Sequence, residues 1–145
     1  GYKLDTETRD SLMSRDDWFL HPFSVKMDIA LNNERDKRCV DIPETFNYLL
    51  GLYVEKESWP QAGLQVIKGH TRTGEATLVI WRDVDKVDND ALAAFVGTIP
   101  ADELKGYRRI YVNGENTLAA SLMANIAERV MNTDEEFQKL MFTED

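Results

Sequence analysis

Cys39 with His21 or His70 is the first pairing in this chain whose residue types can do chemistry, because a thiol nucleophile needs a base within reach. The surroundings argue for packing instead. Cys39 runs straight into Val40 and a helix start at Asp41, His70 lies in a loop with Lys68 and Arg72, and His21 sits beside Pro22 among aromatics. The carboxylates Asp83, Asp85, Asp88 and Asp90 form a second grouping. They follow the most apolar run of the chain, and acidic residues at a strand end can hold a divalent cation for phosphodiester cleavage. The stretch lacks the glycine and terminal glutamate of a calcium loop, and it equally suits a solvated loop and helix N-terminus. A hydrolytic site of the carboxylate and lysine kind would want an acid two residues before Lys68, where Val66 stands. Glu55-Lys56-Glu57 does not replace it, since neighbours on a strand face opposite ways. The third grouping is basic: Arg35, Lys37 and Arg38 in one loop, Lys68 and Arg72 near a hairpin tip, Arg108 and Arg109 at a strand start. If they cluster, Arg35, Lys37, Arg38, Arg72, Arg108 and Arg109 are the candidate phosphate contacts, positioning a backbone and not reading bases. The eight glycines are scattered and form no phosphate-cradling loop.

Composition narrows these options. The chain has 145 residues, 43% hydrophobic and 30% charged, which is enough for one cored domain. Against 17 basic residues stand 26 acidic ones, a formal charge of -9 that argues against a broad phosphate-tracking surface but leaves room for a small basic patch. The single cysteine excludes an internal disulfide and a thiolate zinc cluster, and two histidines leave little for a histidine-rich metal site. No apolar run approaches the roughly 18 residues of a membrane span and no basic-then-apolar leader is present, so the expectation is a soluble, cytoplasmic protein with no membrane partner. The start at Gly1-Tyr2, without methionine, gives the expectation of a processed chain or a piece of a longer protein.

The elements that must position these groups follow from periodicity. Residues 1–23 read as a mostly irregular arm anchored by Trp18, Phe19 and Phe23, and 24–145 as one domain. Val25, Met27, Ile29 and Leu31 alternate with polar or small residues, predicting a strand over 24–32, and the charged stretch 34–38 predicts a solvated loop or hairpin end. Asp41, Pro43 and Glu44 open a short helix that carries Ile42, Phe46, Leu49, Leu50 and Tyr53 and stops near Gly51. Strands are predicted at 53–57, 64–69, 76–82 and 107–112, with turns at 58–63, 70–75 and Asn113-Gly114. Asp88 caps a helix bearing Leu92, Phe95 and Val96. Leu118, Leu122, Ile126 and Val130, spaced by four, predict a long helix from Thr117, whose Met123, with Met131 and Met141, can extend the apolar face toward a partner. Thr133 and Glu136 read as a capping box opening a last helix through Phe137, Leu140 and Met141. The fold class is therefore α+β (or α/β), a single domain with a mixed sheet of about 4–6 strands and helices packed on it.

Three stretches taken together resemble a known family, and a fourth, Tyr111-Val112-Asn113-Gly114, also fits. Val40-Asp41-Ile42-Pro43-Glu44-Thr45-Phe46-Asn47-Tyr48-Leu49-Leu50-Gly51-Leu52, Val79-Ile80-Trp81-Arg82-Asp83 and Glu136-Phe137-Gln138-Lys139-Leu140-Met141-Phe142 resemble the C-terminal part of type III restriction-modification, Mod-like, site-specific DNA adenine methyltransferases. The segment from Trp18 to Phe23 is similar to that family's Phe-x-x-Pro-Phe stretch. The resemblance implies a parent that transfers a methyl group from S-adenosylmethionine to the adenine amine, through an Asp-Pro-Pro-Tyr type motif and a Phe-x-Gly-x-Gly type cofactor loop. Neither motif occurs here, so no catalytic, cofactor-binding or metal-ligating residue carries over. What it implies for this chain is a non-catalytic C-terminal accessory domain whose partners are the rest of the methyltransferase, a second copy or a restriction subunit, with DNA reached through the parent. Glu44, Asn47, Trp81 and Arg82 are the candidate functional surface, against capping for Glu44 and core for Trp81. The alternatives are a stand-alone metal-dependent phosphodiesterase using Asp83 to Asp90, or a protein-interaction module.

Overall fold

The computed structural model describes residues 15–24, 26–31, 34–39 and 41–142, of which 15, 16, 26–31 and 34–39 are described by their backbone alone. Residues 1–14 of the expected arm and the side chains of Arg35, Lys37, Arg38 and Cys39 thus lie outside the described residues. Helix α1 (Arg15–Leu20) stands where an irregular arm was expected, and it buries Trp18 and Phe19. Strands β1 (Lys26–Leu31) and β2 (Glu34–Cys39) pair antiparallel from Lys26 opposite Cys39 to Leu31 opposite Glu34. The charged stretch is thus a strand and not a loop: ladder bonds are made by backbone groups that charged residues carry as well as apolar ones.

Helix α2 (Ile42–Leu50) forms as its ends dictate. The Asp41 carboxylate accepts from the Glu44 N–H at 2.9 Å, Pro43 occupies the first turn, and Gly51 closes the helix at φ 72 by donating to the Asn47 and Tyr48 carbonyls. Strands β3 (Tyr53–Gln61), β4 (Leu64–His70) and β5 (Ala76–Arg82) follow as an antiparallel meander. Helices α3 (Asn89–Val96) and α4 (Ala101–Gly106) then return the chain so that β6 (Arg109–Val112) lies parallel to β5. A 3-10 turn (Leu118–Ser121) and α5 (Ala124–Ala127) return it again for β7 (Val130–Asn132), parallel to β6, before α6 (Thr133–Phe142).

The main sheet has the order β3-β4-β5-β6-β7, and the fold is α+β with a five-stranded mixed sheet in one domain. Its two faces are both covered, which is why β5 is apolar from Leu78 to Trp81: Val79 and Trp81 point one way, Leu78 and Ile80 the other. On the first face Trp18, Phe19, Ile42, Phe46, Ile67, Tyr111 and Phe137 join Val79 and Trp81 under α1, α2 and α6. On the second, Val87, Leu92, Val96, Leu104, Leu118 and Ile126 from the crossover segments cover Leu64, Val66, Leu78, Ile80, Ile110 and Val112. Among the described residues no helix is long and apolar enough to cross a membrane.

Three expectations need correction. The predicted helix from Thr117 to Val130 is instead a 3-10 turn, a one-turn helix and a strand: Leu122 and Met123 are extended, at ψ 159 and 145, and break it. Leu118 and Ile126 are buried all the same, so a spacing of four recorded two separate anchors, and Val130 gains more by pairing with Ile110 on the sheet. The last helix is capped one residue earlier than expected, by Asn132, whose side-chain oxygen accepts from the Glu135 N–H at 2.9 Å. Strand β3 runs through the expected turn at Trp59-Pro60 because it is the sheet edge, where a proline forfeits no ladder bond.

Candidate functional site

At the C-terminal ends of β5 and β6 two polar side chains hold the crossovers. Arg82 is fully buried, and its guanidinium donates to the carbonyls of Asn113 (3.2 Å), Val87 (3.2 Å) and Glu115 (3.1 Å) and to the Asn89 side chain (2.9 Å). Asn113, buried beside it, accepts from the Arg82 N–H at 2.9 Å and donates to the carbonyls of Arg82 and Phe19. Burial lowers the Arg82 pKa, and the charges of Asp134 and Asp88 oppose that shift. Trp81 is equally buried, its ring 5.7 Å from Phe46. Neither Trp81 nor Arg82 therefore contributes to a surface. Both are interior residues, the first by packing and the second by tying the segments that follow β5 and β6 to one strand end.

The acidic stretch divides. Asp88 accepts from the Ala91 N–H at 2.8 Å as the cap of α3, and Asp90 sits in that helix's first turn. Asp83 and Asp85 instead meet a residue the sequence placed with the aromatics: His21 Nδ1 is 3.2 Å from Asp83 and its Nε2 3.7 Å from Asp85. The three ligand atoms lie within 4.8 Å of one another, a donor set that suits a divalent cation. Periodicity could not have found it, because 62 residues separate His21 from Asp83.

The described basic candidates gather at the other end of the strands. Arg72 and Arg109 line one hollow with Leu49, Gly51 and Glu75, and Arg108 and Arg109 line the next with Arg129, Lys139, Glu128 and Glu136. Arg129 and Lys139 were not singled out from the sequence, where neither has a basic neighbour. The patch is mixed in sign, and part of it is committed. Arg109 is 3.1 Å from Glu75 and donates to the Tyr111 hydroxyl at 3.2 Å, and Arg129 donates to the carbonyls of Lys105 and Tyr107.

No family model, curated protein or solved structure matches the chain.

Glu44 and Asn47 come together on a groove between α2 and the first two strands of the sheet. Its two hollows, of about 420 and 520 Å³, share Asp41, Pro43, Glu57 and Gln65. Phe23 and Trp59, with ring centroids 4.8 Å apart, bound one end, and Tyr48, Leu52 and Val54 the other. Gln65 forms part of the floor, 6% exposed, and donates to the Glu57 carboxylate at 2.8 Å. That bond fixes its orientation, since a flipped amide would set oxygen against oxygen. Its Oε1, like the Asn47 Oδ1, is then buried with no hydrogen-bond partner among the described residues. Unsatisfied buried acceptors are uncommon in folded proteins and cost stability unless something donates to them.

Proposed function

We propose that this chain is a non-catalytic accessory domain of a cytoplasmic, site-specific DNA adenine methyltransferase of the restriction-modification kind. It serves assembly with the rest of that enzyme, a second copy or a restriction subunit, and its basic end helps position DNA. One observation carries the reading. Phe46 lies 5.7 Å from Trp81, 5.2 Å from Tyr111 and 6.3 Å from Phe137, so each of the four stretches behind the family resemblance supplies one ring to a single cluster. Stretches that build a core and hold no reactive group fit a domain whose work is binding. Asp41-Ile42-Pro43-Glu44 is occupied in starting α2, so the chain offers no counterpart of the methylase motif, and S-adenosylmethionine belongs to the parent's catalytic portion.

The native reading frame upstream of Tyr2 tests this directly. An Asp-Pro-Pro-Tyr type motif and a Phe-x-Gly-x-Gly type loop are expected there, and a start codon immediately before Tyr2 overturns the reading. Incubated alone with labelled S-adenosylmethionine and duplex DNA, the chain is expected to transfer no methyl group. Turnover would overturn the non-catalytic part.

The cluster of His21, Asp83 and Asp85 favours a second reading, a metal-dependent phosphodiesterase. It requires magnesium- or manganese-dependent cleavage that disappears in Asp83→Ala and Asp85→Ala, and the absence of cleavage with both ions removes it.

A further inference from the structure

His21 stands between two carboxylates, and a neutral imidazole cannot serve both with its single N–H. Its Nδ1 lies 3.2 Å from Asp83 Oδ1, a hydrogen-bond length, and its Nε2 lies 3.7 Å from Asp85 Oδ2, too long for one. With the proton given to Asp83, the Nε2 lone pair is turned toward the Asp85 oxygen, acceptor facing acceptor. Two donors bound to one zinc ion at about 2.0–2.2 Å stand roughly 3–4 Å apart, and the Nε2–Asp85 gap has that spacing. Among the described residues no lysine or arginine pairs with Asp83 or Asp85, so the two carboxylates meet no fixed counter-charge. The donors are also held in position by the backbone around them. The Val84 N–H donates to the Leu20 carbonyl at 2.9 Å, which ties the residue before His21 to the residue between the two aspartates. The Asp83 N–H donates to the Gly63 carbonyl at 2.8 Å, and the Asp83 carbonyl accepts from the N–H groups of Lys86 and Val87.

We propose that His21, Asp83 and Asp85 form a zinc site that clasps α1 to the end of β5. His21 Nε2 and the Asp85 carboxylate are the direct ligands, and Asp83 accepts from Nδ1–H and so holds the ring in the tautomer that binds metal. Two carboxylates balance the charge of a divalent ion. The imidazole nitrogen selects zinc over magnesium and calcium, which take oxygen ligands. Asp85 is largely exposed, so water has access to complete the coordination. The role is structural. Helix α1 adds nothing to the sheet ladder and is fastened by the burial of Trp18 and Phe19 and by the Asn113 bond to the Phe19 carbonyl. An ion joining residues 62 apart cross-links it to the strand end as well. The inference uses the residues of the phosphodiesterase reading but does not rest on it, since it requires binding and no cleavage.

The test strips the 145-residue chain with EDTA, removes the chelator and titrates with zinc chloride at about pH 7.5, where a free imidazole is mostly neutral. His21 and His70 are the only histidines, so nitrogen–proton correlations of the two rings separate the site from an internal control. The His21 ring signals are expected to shift and saturate with a dissociation constant below about 100 µM, while those of His70 stay in place. Magnesium at the same concentrations is expected to shift neither. Zinc is expected to slow amide exchange at residues 15–21, and EDTA to reverse the effect. Asp85→Asn, at an exposed position, and His21→Gln are each expected to weaken zinc at least about tenfold, and His70→Gln to leave it unchanged. Asp83→Asn keeps an acceptor for Nδ1–H and is expected to weaken zinc less than Asp85→Asn does. A His21 ring that does not respond up to about 1 mM zinc overturns the proposal, as does binding that survives both Asp85→Asn and His21→Gln. Magnesium binding as tight as zinc overturns the imidazole donor, and saturation without slower exchange at residues 15–21 overturns the clasp. Cleavage of DNA is no part of this readout, so the loss of the phosphodiesterase reading leaves the zinc site standing.

Discussion

Arg82 carries a charge into the interior, and four hydrogen bonds make that tolerable. Lysine would keep the charge but present one nitrogen where the guanidinium fork reaches four acceptors. Arg82→Lys is therefore expected to lower the stability read from urea unfolding by about 2–4 kcal/mol, the usual cost of breaking a buried charged network. Asp134 shows the reverse economy. It lies in the first turn of α6 and accepts from the Gly114 N–H at 3.2 Å, yet burial pushes its pKa up to about 6, with the hydrogen bond and the Arg82 charge only partly offsetting the shift. A carboxyl that holds its proton more tightly folded than unfolded contributes most at low pH. That contribution is lost as the pH rises from the ordinary value of 3.8 through about 6, and the loss is constant above it. Asp134→Asn is expected to flatten this part of the stability profile. At pH 7 the variant should be the more stable, by up to about 1 kcal/mol after allowance for solvent screening. Melting temperatures of both proteins from pH 4 to about 8 check the sign.

At the scale of elements, β3 depends on one glycine. A Cβ on Gly69 of β4 would run into the Tyr53 carbonyl across the strand pair, a backbone atom that cannot step aside. Gly69→Ala is expected to cost about 2–3 kcal/mol and to loosen β3 first, seen as faster amide exchange at residues 53–61. Gly69 gave no signal in the sequence because a close approach across strands is a tertiary fact. What was legible had a local cause: the cap and stop of α2 at Asp41 and Gly51, the β4–β5 hairpin around Gly74, the cap of α3 at Asp88. The run from Thr117 to Val130 was misread because two isolated anchors mimic a helical repeat, and only the β6 edge decides between them. The candidate site divides in the same way. Glu44 and Asn47, one turn apart on α2, share the groove, whereas Gln65, Glu57 and Trp59 reach it by strand pairing and showed no spacing that would reveal it.

For the molecule as a whole, Phe46 is the point at which α2, β5, β6 and α6 meet. Phe46→Ala is expected to destabilise the protein by about 3–5 kcal/mol, a large share of the stability of a domain this size. Both layers share one sheet, so the loss should be cooperative: fluorescence from Trp18 and Trp81 and far-ultraviolet circular dichroism should report one midpoint in the variant and in the parent. Leu92→Ala in the opposite layer should act the same way at about 2–5 kcal/mol. Two separate transitions would mean that the layers are energetically independent.

The bond from Asn113 to the Phe19 carbonyl spans 94 residues, and it sets an order in time. A ribosome adding about 5–20 residues per second needs roughly 5–20 s to deliver Asn113 after Phe19. Throughout that interval Trp18 and Phe19, joined early in it by Phe46, lack the strand and final helix that cover them. The nascent chain therefore exposes these rings until α6 emerges. Truncations that remove only the last helix should fail by aggregation during synthesis, even though every earlier element is present.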